Sequence, residues 1–254
     1  MNLANNTAFV KGKEFLPFGD SFERSLIAAL SIRAQGNMSL CYGDVSNSIG
    51  NRETFLKKIG INFKDLVCAK QTHSGNVRYV TESDKGKGAL VYDDAIEDTD
   101  AFITDKKGVP IAIFTADCLP VFLYDPRKPA IGLAHGGWRS TKKNIAFSAI
   151  ELMQKQFGTD PKDLLVGFGP GIRSCCFEAE EDFKQIFPKD TQERNGKLYV
   201  DLAGANRRQL LEAGVKAENI FDYRICTVCG VKDLYSFRVE KDKSGRMISV
   251  MMLI

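Results

Sequence analysis

Short apolar runs separated by turn-forming residues dominate the chain, and three of them follow one another closely. IAIFTA (111–116), LPVFLYD (119–125) and AIGLAHG (130–136) are long enough for strands and too short for helices; their near-continuous apolar character predicts strands covered on both faces. The DPRKP stretch (125–129) between the last two predicts an antiparallel hairpin. LIAALSIRA (26–34), LVCAKQ (66–71) and LLVGFG (164–169) read as further strands, and FDYRICT (221–227), LYSFRV (234–239) and MISVMML (247–253) as closing ones. Helical spacing runs from Thr141 to Phe157, with Ile145, Phe147, Ile150, Leu152 and Met153 apolar and Gly158 as the stop. Helical stretches are also expected over 51–59, 179–187 and 201–213, the last with Asp201 as its N-cap. About ten strands interleaved with helices predict a mixed α/β (α+β) fold, one domain over residues 1–254.

Composition narrows the function. The chain has 254 residues, 44% hydrophobic and 26% charged, enough apolar material for a core that needs no metal or disulfide to hold it. A net charge of +3, with basic and acidic residues interleaved as in EKDKSGR (240–246), argues against a nucleic-acid partner. The opening MNLANNTAFVKGKEF lacks the apolar region of a signal peptide, and no run approaches the roughly 20 apolar residues of a membrane span. A cytoplasmic location is expected. Seven cysteines, an odd number, fit free thiols better than a disulfide framework.

The chain has two histidines, His73 in KQTHSGNV and His135 in AIGLAHGGWR. Each sits at or just past the end of an apolar run, as does Cys118 in TADCLP, so all three fall where loops present side chains to a cleft. A single histidine or cysteine after an apolar run is ordinarily structural, and the case here rests on their shared placement. Two imidazoles and one thiolate suit Zn²⁺ with a fourth position left for water, whose pKa falls to about 7. The CTVCG stretch (226–230) supplies half of a structural zinc site, but no second CxxC completes it; Cys226 and Cys229 are expected to be ordinary thiols. Cys175 and Cys176 are adjacent, and on extended backbone at most one of them would face a cleft. The turn FGPGI (168–172) matches neither GxGxxG nor GxxxxGK.

Together, KQTHSGNV, DAFITD, TADCLPVFLYD, IGLAHGGWR, GPGI…CCFE and the tail CT…YSFR…GRM resemble the YfiH family, also called polyphenol oxidase-like, laccase-domain or purine nucleoside phosphorylase, from about Ser31 onward. The resemblance implies a layered α/β/β/α fold similar to the catalytic domain of cytotoxic necrotizing factor. It places His73, Cys118 and His135 on the family's metal ligands, usually zinc. It implies phosphorolysis of adenosine, guanosine or inosine and methylthioadenosine, with hydrolytic deamination of adenosine, so the partners expected are purine nucleosides and phosphate. Gln71 and Asp117 occupy motif positions: Gln71 to hydrogen-bond base or sugar, or to brace the strand end, and Asp117 to shuttle protons or to stabilise a turn. Arg33 and Arg139 are candidates for a phosphate or substrate seat, and Trp138 for stacking on a purine or for the core. The chain departs from the family at Cys41, where asparagine is usual, at AQG (34–36) in place of a double glycine, and at Gly171.

The same residues support a second chemistry, a cysteine hydrolase with Cys118 as nucleophile and His135 as base. A cell-wall precursor is its natural substrate class, since bacterial relatives are linked to peptidoglycan quality control. Oxidation of phenols by a copper cluster fails by counting: such an enzyme needs about ten histidines, imidazole being the dominant copper ligand, and this chain has two. A binding module without catalysis is the remaining reading.

Overall fold

The computed structural model of the chain describes residues 25–254. The leader-free reading of residues 1–15 lies outside the described residues. Twelve strands and six α-helices follow in the order β1 (Leu26–Leu30), α1 (Val45–Lys58), β2 (Val77–Tyr79), β3 (Ala101–Thr104), β4 (Ile111–Thr115), β5 (Leu119–Asp125), β6 (Ala130–Gly136), α2 (Trp138–Lys142), α3 (Ile145–Phe157), β7 (Leu165–Phe168), β8 (Glu178–Ala179), α4 (Phe183–Ile186), β9 (Thr191–Arg194), β10 (Lys197–Val200), α5 (Leu202–Glu212), β11 (Ile220–Asp222), α6 (Phe237–Glu240) and β12 (Met247–Leu253).

Six strands form the main sheet in the order β11-β7-β5-β6-β3-β2, and β1-β12-β4 form a second, antiparallel sheet. Alternation along each strand decides what covers it. Phe122 and Tyr124 of β5, Ile131 and Leu133 of β6 and Phe102 of β3 pack with Leu26, Ile111, Ile113, Met247 and Met251, which fills the space between the two sheets. The alternate residues, Val121 and Leu123, Ala134 and Ile103, meet Ile145, Ala149, Ile150 and Met153 of α3 and Leu210 of α5. On the far side of the small sheet, Ala29, Ala112, Ile248 and Val250 meet Phe55 and Leu56 of α1. The layers therefore run helix, sheet, sheet, helix, as expected. Strands β5 and β6 are buried at every residue because both of their faces are covered.

The hairpin at DPRKP joins β5 and β6 in antiparallel register, Pro120 opposite His135 and Asp125 opposite Ala130. Asp201 caps α5, its carboxylate accepting from the Gly204 N–H at 2.9 Å. Five expectations fail or shift. LVCAKQ forms only isolated bridges at Val67 and Ala69. LYSFRV is a turn leading into α6, with Leu234 buried and Phe237 exposed, so its alternation does not belong to a strand. The helix expected from Thr141 is two helices, broken at Asn144, whose φ of 58° is left-handed. The helical stretch 179–187 shrinks to Phe183–Ile186, and the one over 51–59 begins at Val45, where Asp44 accepts from the Asn47 N–H at 2.8 Å. Among the described residues no helix is long and apolar enough to cross a membrane.

Candidate metal centre and cleft

Sheet register assembles the centre. In β6, His135 lies opposite Pro120, which brings Cys118, one residue before β5, alongside Gly137. On the other side of β6, Ala134 pairs with Ala101, so Asp100 meets His135, and the His135 N–H donates to the Asp100 carbonyl at 2.8 Å. The third residue, His73, arrives from the loop before β2 in left-handed backbone, φ 59°.

Asp100, fully buried, holds two of the three. Its Oδ1 lies 2.7 Å from His135 Nδ1 and accepts from the His73 N–H at 3.2 Å. Its Oδ2 accepts from the N–H groups of Thr72 at 3.2 Å and Ser74 at 2.6 Å, and from the Ser74 hydroxyl at 2.8 Å. One carboxylate thus fixes the left-handed loop and the ring of His135. With Nδ1–H turned to Asp100, the Nε2 atom of His135 is left for the centre. DAFITD belongs to the family resemblance, yet nothing in the sequence gives its Asp100 a role. Among the acidic residues of EDTDAFITD, the only cue is its position at the start of an apolar run.

The three donor atoms all lie within 4.8 Å of one another. Cys118 Sγ is 3.7 Å from His73 Nε2, and the two imidazole centroids are 4.8 Å apart. A tetrahedral ion with Zn–N of about 2.0–2.1 Å and Zn–S of about 2.3 Å separates such donors by about 3.6 Å, so the donor set fits a divalent cation of zinc's size. Gly137 makes the space: a Cβ there would fall 2.7 Å from His73 Cδ2 and 3.1 Å from Cys118 Sγ.

Without a cation, Cys118 and His135 shift each other. Burial pushes the Cys118 thiol up, but the charge of His135 and hydrogen bonds from both imidazoles bring it down to about 6. Burial lowers His135, and the Cys118 and Asp100 charges more than reverse this, raising it to about 10. Metal-free protein should therefore show Cys118 alkylation that climbs with pH through about 6 and then levels, since the thiolate is the nucleophile. Cys175, pushed up to about 11 chiefly by burial, should react only at far higher pH. Peptide mapping after iodoacetamide at a series of pH values measures this; an inflection above pH 8 at Cys118 would contradict it.

The centre lies in a cleft of about 1060 Å³, just above the usual range of small-molecule pockets. Of the residues expected to act with it, Gln71, Asp117 and Arg139 line the cleft and Arg33 does not. The Gln71 amide pairs with the backbone of Phe114, its Nε2 donating to the carbonyl at 3.0 Å and its Oε1 accepting the N–H at 2.7 Å. Asp117, with φ 88°, accepts from the hydroxyls of Thr227 at 2.6 Å and Ser236 at 2.7 Å and from the Arg238 N–H at 2.6 Å. These bonds fix the residue that precedes Cys118. The guanidinium of Arg33 is committed elsewhere: it forms a two-pronged pair with Glu240 at 2.8 and 2.9 Å, donates to the Val231 and Leu234 carbonyls and stacks on Tyr235. Arg139 is exposed and stacks on Trp138 at 4.2 Å, while Trp138 itself packs on Phe183 at 5.0 Å and lines the cleft. Three further arginines line this cleft without having been singled out in the sequence: Arg52, buried and committed to the carbonyls of Met38, Gly88 and Ala89, Arg238, 5.5 Å from the Phe177 ring, and Arg246, 3.9 Å from that of Tyr42. The GRM segment of the motif set contains Arg246, the one signal that pointed to it.

Residues 24–254 match the family described as multi-copper polyphenol oxidoreductase laccase. The chain belongs to that family. Among relatives of this laccase family, the purine nucleoside phosphorylase YlmD of Geobacillus stearothermophilus is 32% identical over 223 residues, 84% of this chain and 81% of the relative. The adenosine deaminase RL5 of an unknown prokaryotic organism is 33% identical over 212 residues, covering 80% of each. The crystal structure of YlmD from G. stearothermophilus superposes with a TM-score of 0.92 at 29% identity, over 98% of this chain and 99% of that one. The laccase-family name describes copper chemistry, yet two imidazoles supply one small centre and no cluster.

Proposed function

We propose that the protein is a cytoplasmic, zinc-dependent purine nucleoside phosphorylase acting on adenosine, inosine or guanosine and methylthioadenosine, with accompanying adenosine deaminase activity. The observation that carries the proposal is the convergence of His73, Cys118 and His135 inside a roomy cleft, in a chain whose relatives bear these two enzyme names. His73, Cys118 and His135 would hold the ion, which supplies Lewis acidity and an acidified water.

The rest falls to the chain's own groups. Trp138, Phe114, Phe177 and Tyr42 line the cleft and offer flat apolar surface to a purine. Arg139, Arg238 and Arg246, each stacked on an aromatic ring, offer guanidinium groups to a phosphate, so negative charge is held without reorganisation during phosphorolysis. Asp117 remains the proton-shuttle candidate by its position next to Cys118, and its three donors would set the orientation of its carboxylate. Gln71 is the candidate contact to base or sugar at the cleft wall.

Zinc-loaded protein should convert adenosine and phosphate to adenine and ribose 1-phosphate, and adenosine alone to inosine, with both products resolved by chromatography. No turnover of any purine nucleoside by fully loaded protein would refute the reading. One observation favours a second chemistry: Cys118, His135 and Asp100 stand in the order of a thiol–imidazole–carboxylate triad. That cysteine hydrolase, acting on a cell-wall precursor, would work with metal removed and be abolished by Cys118 alkylation. The phosphorylase would be silent without metal.

A further inference from the structure

Four of the seven cysteines lie in one place outside the cleft centre. The sulfurs of Cys175, Cys176, Cys226 and Cys229 are all within 4.8 Å of one another. Cys229 Sγ is 3.7 Å from that of Cys175 and 3.5 Å from that of Cys176. All four are free thiols, and these separations are far beyond the bonded S–S length of about 2.05 Å. They are close to the edge of a tetrahedron of sulfurs around zinc, about 3.8 Å for Zn–S bonds of about 2.3 Å.

The sequence argued against this grouping on two grounds, and the structure removes both. Residues 174–176 form a turn, and because the backbone there is not extended, neighbouring side chains can reach the same side. The missing second half of the CxxC site is supplied by the vicinal pair, more than fifty residues earlier, because Gly171 bridges in parallel to Cys226. That bridge is held by the Gly171 N–H on the Ile225 carbonyl and the Thr227 N–H on the Gly171 carbonyl, both at 3.2 Å.

The surroundings suit a thiolate at Cys226, whereas burial and the neighbouring sulfurs push Cys175 and Cys176 up, so the ion itself must draw off their protons. Backbone N–H groups of Cys229, Arg173 and Val228 point at the Cys226 sulfur, the local arrangement by which a CxxC turn stabilises a sulfur anion. Cys175 and Cys229 are exposed, which gives an ion a route in from solvent. Among the described residues no aspartate, glutamate or histidine joins the cluster, so its donor set there is purely sulfur, which selects zinc over magnesium or calcium.

We infer that Cys175, Cys176, Cys226 and Cys229 form a second metal site, a closed tetrathiolate that binds one Zn²⁺. Four thiols lose their protons as four Zn–S bonds form, and no oxidant or reductant is consumed. With all four positions filled by protein, the site is structural. Its place shows what it ties together. The loop with Cys175 and Cys176 and the loop with Cys226 and Cys229 both touch Asp117: the Ile172 N–H donates to the Asp117 carbonyl at 2.7 Å and the Thr227 hydroxyl to its carboxylate. Closing the four sulfurs on an ion clamps the two loops that seat the residue before Cys118.

Zinc counting on full-length protein, reconstituted with zinc under reducing conditions and desalted, tests this independently of the cleft centre. The His73→Ala/Cys118→Ala protein is expected to keep one zinc per chain, and the Cys175→Ser/Cys229→Ser protein to hold one fewer than wild type. Cobalt in the His73→Ala/Cys118→Ala protein should give the intense ligand-field and sulfur-to-metal bands of tetrahedral tetrathiolate coordination. Should either variant fail to fold, the same bands in cobalt-loaded wild type carry the test. No zinc in the cleft-ablated protein, an unchanged count after Cys175→Ser/Cys229→Ser, an absence of tetrathiolate bands, or an intact-protein mass showing a disulfide among the four after reconstitution would each overturn it.

Discussion

Asp100→Asn should strip the cleft centre of metal affinity by about 10- to 100-fold, the usual loss when a carboxylate that orients a ligating histidine is removed. Asp100 accepts from His135 Nδ1–H and from the N–H groups of Thr72, His73 and Ser74. An asparagine offers one acceptor oxygen and one NH₂, so on one side two donors must face each other in a buried space. If the NH₂ turns to His135, the imidazole loses the tautomer that points Nε2 at the centre. If it turns to Ser74, the left-handed loop carrying His73 loses its anchor. Folding stability should fall as well, by about 3–5 kcal/mol, the range for breaking a buried charged pair.

The pH dependence gives a separate readout. Burial raises the Asp100 carboxyl, but the His135 hydrogen bond and charge and the Ser74 donors outweigh it and bring it from 3.8 to about 2. A depressed carboxylate contributes stability that is present above its unfolded pKa and lost as pH falls through its folded one. Wild-type metal-free protein should accordingly lose part of its advantage over Asp100→Asn between about pH 4 and 2. Denaturation midpoints of both proteins across that window, with zinc titrations at neutral pH, measure the two effects. Equal zinc affinity in both would show that Asp100 does not organise the centre.

Gly137→Ala should have the second large effect, by a purely steric route. Gly137 has φ −71°, which alanine adopts without strain, so the backbone does not object. The added methyl would lie 2.7 Å from His73 Cδ2 and 3.1 Å from Cys118 Sγ, and His73 is tethered to Asp100 by its N–H and cannot simply swing away. Forcing such contacts costs about 1–3 kcal/mol, which weakens metal binding about ten- to a hundredfold if the strain is relieved by spreading the ligands. Nucleoside turnover should fall in parallel while the thermal midpoint of metal-free protein stays within a few degrees of wild type. Unchanged zinc binding in Gly137→Ala would mean that His73 and Cys118 do not close on a common ion.

Much of this molecule was legible before its structure. Strands β4, β5 and β6 carried unbroken apolar runs because both of their faces are covered, and the turn residues of DPRKP fixed one hairpin. His73, Cys118 and His135 stood out because each follows such a run. What escaped has a common physical cause: it depends on partners far away in sequence. The guanidinium of Arg33 is occupied by Glu240, 207 residues on, and no local pattern announces that. Asp100 is one acid among several near residue 100, and only the β3–β6 register makes it the buried one. Adjacent Cys175 and Cys176 point apart only on extended backbone, whereas a turn holds them and a parallel bridge supplies their partners. LYSFRV alternated like a strand because a buried turn and a one-turn helix produce the same rhythm.

The smaller sheet has a consequence for how the chain is made. Its middle strand is β12, so β1 and β4 do not pair with each other and both wait for it. Ser31, just after β1, receives the Ile248 N–H from 217 residues downstream. On the ribosome, the early half of the chain can therefore present His73, Cys118 and His135 while one whole layer of the fold is still open. Maturation must be a late, concerted event, and a stalled or nicked nascent chain would display two unpaired strand edges for other chains to join.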